Sequence, residues 1–377
     1  MRAAAGKERC RLAVVCRLLA MAVWASMPAG CDNGEGEGGP TAKEPVRIAV
    51  VGEGRNEPTW PVIQAAARWF DDRYRLADVE TFAPEVISPG EQRKLLVDLA
   101  NKPFDAVCVV PCDPDAVRVS IQELVRHGKR VITIGRDVPQ SDRHANCGPS
   151  NFDIGHAAAQ ACALVLKGRP PTIMLLYAGL EDDAYAARYY AFKDELPLLG
   201  GLEVLREVDC AGKLVDAAHL VRVEARRYPR AGCWVFLDDW PLKTIPDDER
   251  LLPLGSGIVL CNGSPRYLSR LRDGQILAMI TYDFRRAMEE GLLAASKKTM
   301  DIGDMPDVSY TLPTEIVTVR ELESYEQRWK LWERPDNSAE SAHQQASTRR
   351  AEKIPNPSSR PWSTSSPRAE KKRSKGP

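Results

Sequence analysis

The chain has 377 residues, enough for two ordinary domains. Its 52 basic and 52 acidic residues cancel, so no net basic field draws nucleic acid and no nucleic-acid partner is expected. Aromatics at 7% are too sparse for an aromatic-rich carbohydrate surface, while 28% charged and 44% hydrophobic residues suit a soluble globular protein.

Arg2, Lys7, Arg9 and Arg11 make a basic start, and Leu18 to Met27 is an apolar run of signal-peptide length. It falls short of the roughly 20 apolar residues that span a bilayer. Pro28-Ala29-Gly30-Cys31 follows and looks like a bacterial lipoprotein cleavage box with Cys31 as the lipidated residue. Pro28 stands where an aliphatic or small residue is usual, and Arg17 precedes the apolar core, so a plain secretory signal or an uncleaved anchor is the alternative. The expectation is a leader over 1–31, a flexible Gly- and Glu-rich tether over 32–45, and a lipid anchor on the periplasmic side of a bacterial membrane. Beyond Cys31 lie Cys108, Cys112, Cys147, Cys162, Cys210, Cys233 and Cys261. An odd number at irregular spacing is no disulfide scaffold; most read as small buried hydrophobes.

From Val46 onward strands and helices alternate with short connections, the signature of βαβ units and parallel sheets. The first half reads as strand Val46–Val51, helix Pro61–Tyr74, strand Asp78–Phe82, helix Pro89–Asn101 and strand Ala106–Val110. Asp113-Pro114 then supplies a cap and a proline at the first helical position, opening a helix to about His127. Val131–Ile134 is a short buried strand, with Gly135, Arg136 and Asp137 at its carboxyl end, where open parallel sheets place ligands. A further short strand, Ala145–Cys147, leads through Gly148 and Pro149 towards a helix, as the approach to a hinge.

The plan then repeats. Helices are expected over 151–167, 182–196, 214–228 and 265–272, and strands over 172–177, 203–208, 233–237, 257–261 and 276–282. A helix over 284–297 could return to the first half. A last strand, 315–319, precedes a charged helix ending near Trp332. From Glu333 to Pro377, Ser, Pro, Arg and Lys dominate; such a tail cannot bury enough apolar surface to offset chain entropy. Its basic end is either solvated or touches an anionic surface such as phospholipid headgroups.

Several stretches resemble the type I periplasmic solute-binding proteins of bacteria, the ribose- and galactose-binding-like group. They are VRIAVVG with Glu57-Pro58-Thr59-Trp60, FDAVCVVPCDPDAV, VITIGRDVPQSDR, CGPSNFDIG, ARYYAFKDEL and VLCNGSPRYLSRLRDGQILAMITYD, in the family's order over roughly 46–331. The resemblance implies an α/β protein with two Rossmann-like lobes, each on a parallel sheet, joined by a three-strand hinge and closing on a ligand. Lobe one would be 46–149 plus 283–310, and lobe two 150–282 plus 311–332.

The resemblance also points to site residues. Arg136 matches a ligand-binding arginine, Trp60 a stacking aromatic, and Asp238 an aspartate. Glu57 takes the place of an asparagine, with Asn56 beside it, while Arg188 falls on the second of two arginines, the first being Ala186. Asn262 stands for an aspartate, Tyr282 for a hinge glutamine, Gly135 for an aspartate and Leu237 for an asparagine. The scaffold is kept while the ribose-type polar set is largely replaced. The candidate ligand set is therefore Asn56, Glu57, Trp60, Arg136, Asp137, Arg188, Asp238, Asn262 and Tyr282.

Other constellations carry less. Asp238 and Asp239 would point to opposite faces of a strand and so could not flank one bond as acid and base. His144 and Cys147 are metal-ligand types without a third partner. Gly52-Glu53-Gly54 lacks the third glycine of a dinucleotide loop. Arg136 suits either hydroxyl or carboxylate recognition or a salt bridge to Asp137 or another acid near the hinge. Trp60 is either a stacking platform or core filler. No enzyme, cofactor or metal is expected. The expected role is a solute-binding lipoprotein that captures a small polar, sugar-like ligand for an ABC transporter permease. The alternative is a ligand-sensing or degenerate partner of a membrane sensor.

Overall fold

The computed structural model describes residues 45–74, 77–181, 183–210, 216–243, 245–246, 248–297, 308–336, 338 and 341. The leader ending at Cys31, the tether as far as residue 44 and the tail past 341 lie outside the described residues.

Two six-stranded sheets form the body, as expected of an α/β chain. Sheet one holds β1 (Val46–Val51), β2 (Ala77–Phe82), β3 (Ala106–Val109), β4 (Arg130–Ile134), β5 (Ala145–Gly148) and β11 (Val308–Thr311), in the order β11-β5-β4-β3-β1-β2. Every pairing in it is parallel. Sheet two holds β6 (Thr172–Tyr177), β7 (Glu203–Asp209), β8 (Cys233–Phe236), β9 (Ile258–Cys261), β10 (Ile276–Tyr282) and β12 (Thr314–Thr318), ordered β12-β10-β9-β8-β6-β7. Only the edge pair β10–β12 is antiparallel among its pairings. The chain passes from one sheet to the other after β5, after β10 and after β11.

Period-two alternation with both faces apolar explains why helices cover both sides of sheet one. Ile48, Val50, Ala106 and Cys108 enter one core, while Ala49, Val51, Val107 and Val109 enter another. The first face is covered by α1 (Thr59–Arg73) and by α9 (Phe284–Ser296), which packs on β3, β4 and β5. The second carries α2 (Pro89–Ala100) and α3 (Pro114–Arg126). Caps fix where these helices start: the Asp113 carboxylate accepts from the Asp115 and Ala116 amides ahead of Pro114, as the sequence predicts.

In sheet two, Ile173 and Leu175 face α4 (Asn151–Val165) and α5 (Asp183–Glu195), whereas Met174 and Leu176 face the other core. The remaining helices are α6 (Ala217–Arg227), α7 (Trp240–Lys243), α8 (Leu268–Arg272) and α10 (Leu322–Trp332). Strand β11 was not expected; four residues of mixed polarity at a sheet edge leave little pattern to read. α7 has a single turn: Pro241 tolerates a helix start, and Pro246 stands against extension.

Candidate functional site

The loops that follow β1, β3, β4, β8, β9 and β10 meet between the two sheets, at the carboxyl ends of parallel strands. They enclose a cavity of about 70 Å³, lined among others by Glu53, Glu57, Arg136, Lys243, Asn262 and Tyr282. Its hinge side is closed by Phe284 and by Trp329 of α10.

Arg136 is the centre of the charge network. Its Nη1 donates to the Cys112 carbonyl at 3.0 Å and lies 3.8 Å from the Glu53 carboxylate. Its Nη2 crosses to sheet two and donates to Asp238 at 3.0 Å and to Asp239 at 2.6 Å. Asp238 is 2% exposed. It also accepts from the Asn262 side-chain amide (2.8 Å), from the Asp239 backbone N–H (2.7 Å) and from Arg188 Nη1 (3.3 Å). Arg188 is held in turn by the Asn151 side chain at 2.6 Å and the Leu237 carbonyl at 2.8 Å. The Tyr267 hydroxyl donates to Asp239 at 2.9 Å, and Lys243 Nζ lies 3.4 Å from it. A second bridge between the halves joins Arg266 Nη1 to Glu57 at 2.8 Å.

Burial raises the pKa of a carboxyl such as Asp238, but here Arg136 and Arg188 outweigh it and hold that carboxyl well below the usual aspartate range. Burial works to lower the Arg136 pKa, and Asp238, Asp239 and Glu53 more than reverse it, keeping the guanidinium charged. At Glu57 burial prevails over Arg266 and pushes the pKa up. The network is self-compensated: each buried charge has a partner of opposite sign from this chain.

Four of the sequence candidates line the cavity: Glu57, Arg136, Asn262 and Tyr282. Asp238 and Arg188 form a layer behind it, joined through Arg136 and Asn262. The other three stand apart. Asn56 is exposed, and Asp137 is engaged by Arg143, whose Nη2 donates at 2.6 Å. Trp60 packs half-buried against the core beneath Gly52. The expectation that Asp238 and Asp239 diverge fails. Strand β8 stops at Phe236, the chain turns into α7, and both carboxylates reach the same nitrogen of Arg136. His144 is occupied otherwise, its Nδ1 accepting from the Val131 N–H at 3.1 Å.

Sequence reasoning missed Glu53, Lys243, Arg266 and Trp329. Glu53 carried a usable signal, lying just beyond the end of β1. Trp329 carried none, since its helix follows the whole α/β repeat. Gly135 and Tyr282, both replacements relative to the resembled family, fit each other. Gly135 has φ +79°, and a Cβ there would strike the Tyr282 hydroxyl. The tyrosine thus fills space that a side chain at 135 would occupy.

Residues 48–225 match the family model described as periplasmic binding protein domain. Among solved structures, a solute-binding protein from Burkholderia graminis in complex with D-arabinose aligns at TM-score 0.58 and 17% identity, covering 75% of this chain and 98% of that one. GanP, a glucose-galactose binding protein from Geobacillus stearothermophilus, aligns at 0.58 and 19%, covering 74% and 99%. A LacI-type regulator from Bacteroides fragilis aligns at 0.55 and 10%, covering 75% and 100%. No curated protein matches the chain. The two mostly parallel sheets with three crossings and the cleft between them give this chain the fold of the type I periplasmic binding proteins, and its segment 48–225 matches a periplasmic binding protein domain.

Proposed function

We propose that the chain is an extracytoplasmic solute-binding protein that takes a small polar, sugar-like ligand between two lobes, 46–149 plus 283–310 and 150–282 plus 311–332, for an ABC transporter. The observation that carries this reading is the convergence of Glu53, Arg136, Lys243, Asn262 and Tyr282, from strand ends of both sheets, on one cavity. The D-arabinose and glucose-galactose binding proteins that share the fold support a polyhydroxylated ligand. The changed polar set around Gly135, Ala186, Leu237 and Tyr282 argues against ribose itself. Thermal-shift screening over sugars, polyols, amino acids and nucleosides tests the reading. A non-ribose polyol should raise the melting temperature of the wild type and do so less for Lys243→Ala. Tight ribose binding, or no shift across the panel, would contradict it.

A second reading, a ligand-sensing or degenerate partner of a membrane signalling protein, is favoured by one observation. The cavity of about 70 Å³ is far below the roughly 300–1,000 Å³ of ordinary small-molecule sites, because the protein's own ion pairs fill the cleft. A silent screen would favour that reading.

Among the described residues no helix is long and apolar enough to cross a membrane. Attachment is proposed through lipid at Cys31, motivated by the basic start, the short apolar core and Ala29-Gly30-Cys31. Fatty-acid labelling in a bacterial host should vanish in Cys31→Ala; persistent labelling would exclude this anchor.

A further inference from the structure

All seven cysteines of the two-sheet body are buried, and none of them stands in a disulfide. In sheet two the Cys233 thiol of β8 donates weakly to the Cys162 sulfur of α4 at 4.0 Å, with both side chains fully buried. Two features bring these elements so close. Apart from Ile154, the residues that α4 buries are Gly155, Ala157, Ala158, Ala159, Ala161 and Cys162, small side chains that let the helix axis approach its neighbours. Gly232, immediately before Cys233, sits where a Cβ would strike the Pro170 carbonyl and the Leu166 side chain just past α4. The chain entering β8 is therefore pressed against the end of the helix.

Other thiols are spent elsewhere: Cys108 donates to the Gly291 carbonyl at 3.7 Å and Cys210 to the Tyr177 carbonyl at 3.2 Å. Cys261 shares the same apolar cluster as Cys162 and Cys233 and is the natural competitor.

We propose that Cys162 and Cys233 are a redox pair, a dithiol that a disulfide oxidant converts into a bond tying α4 to β8. Bridging needs the sulfurs to close from 4.0 Å to about 2.05 Å, a shift of roughly 2 Å. The thiolate of one cysteine attacks the oxidant disulfide, forming a mixed disulfide and releasing one thiol. The second thiolate attacks the protein sulfur of that mixed disulfide and expels the other. Two S–H bonds are lost, one S–S bond forms, and the oxidant leaves as two thiols, having taken up both electrons and both protons. Burial pushes the Cys162 thiol well up, so exchange belongs to the folding chain or to transient opening of the core rather than to the closed state. The bond would close a loop over a separation of 71 residues, spanning β6, α5, β7 and α6, and so restrict the unfolded chain strongly.

Formation of the bond in the cell rests on the extracytoplasmic reading above, whereas the pairing itself rests on the fold alone. The test therefore uses the purified full chain, refolded from denaturant with oxidised and reduced glutathione, alkylated, digested without reductant and mapped by mass. The expected result is a peptide linked through Cys162 and Cys233, with a thermal midpoint roughly 5–10 °C higher than that of the reduced protein. Cys162→Ala should abolish both the link and the effect of reductant on the midpoint, and Cys261→Ala should leave both in place. Linkage through Cys261 or another cysteine, or full alkylation of Cys162 and Cys233 after oxidative refolding, would overturn the proposal. Neither outcome bears on solute binding.

Discussion

Arg136 gathers carboxylates from both halves of the molecule, and the acid on which most of the network leans is Asp238. Its folded pKa is depressed, so it contributes stability that is present above the ordinary aspartate value of 3.8 and lost as pH falls through the lower folded value. In Asp238→Asn, Arg136 keeps Asp239 and Glu53, while Arg188 loses its carboxylate. Urea unfolding at neutral pH should show a loss of about 1.5–3 kcal/mol, the worth of hydrogen bonds to a charged group. The same variant should have a flatter acid limb than wild type below about pH 4. Equal acid limbs would mean that Asp238 is not the titrating partner. How far the sequence discloses these residues follows from chain distance. Arg136 was legible because a charge just past a buried strand has few structural reasons to be there. Asp238 entered the candidate set through the resemblance, but its pairing with Arg136, 102 residues before it, has no local signal. Asp239 was misread by extending strand alternation beyond the strand's true end at Phe236. Trp60 fits the family pattern locally, but whether its ring points to the cleft or the core depends on packing around Gly52 that no local pattern encodes.

At the scale of elements, hydrophobic runs and caps disclosed the alternating strands and helices, because central strands such as β3, β8 and β9 are buried on both faces and read as continuous apolar runs. Edges escaped, as β11 illustrates. The function of α10 escaped as well. This helix packs on α1, on α8 and on β12, so it touches elements that flank both sheets. Trp329 stacks on Phe284 with centroids 5.9 Å apart and planes 10° apart, and meets Trp332 edge-on at 5.1 Å. The Trp332 carbonyl accepts from buried Arg285 Nη1 at 3.0 Å, which fastens the helix end to α9. Trp329 is 4% exposed and also walls the cavity. Trp329→Ala should therefore cost about 3–5 kcal/mol in denaturant unfolding, as truncating a buried large aromatic does. A loss under about 1 kcal/mol would show that α10 is a dispensable cover.

For the whole molecule the crossings after β5, β10 and β11 define a hinge, and the ion pairs Arg136–Asp238, Arg136–Asp239 and Glu57–Arg266 join the two halves across the cleft. Opening would return these charges to water, so their net worth is a modest difference between Coulomb attraction and desolvation. Under the proposed function, a ligand entering the cleft would compete with them, and its apparent affinity would fall with the fraction of molecules able to open. Arg136 is the main tie between the halves, pairing with Asp238 and Asp239 across the cleft. Small-angle X-ray scattering of the ligand-free wild type and of Arg136→Ala tests this tie most directly. The wild-type profile should match the two-sheet body as described, and Arg136→Ala, which loses both of its ion pairs across the cleft, should have a larger radius of gyration. An open wild type, or a variant with an unchanged radius, would contradict it.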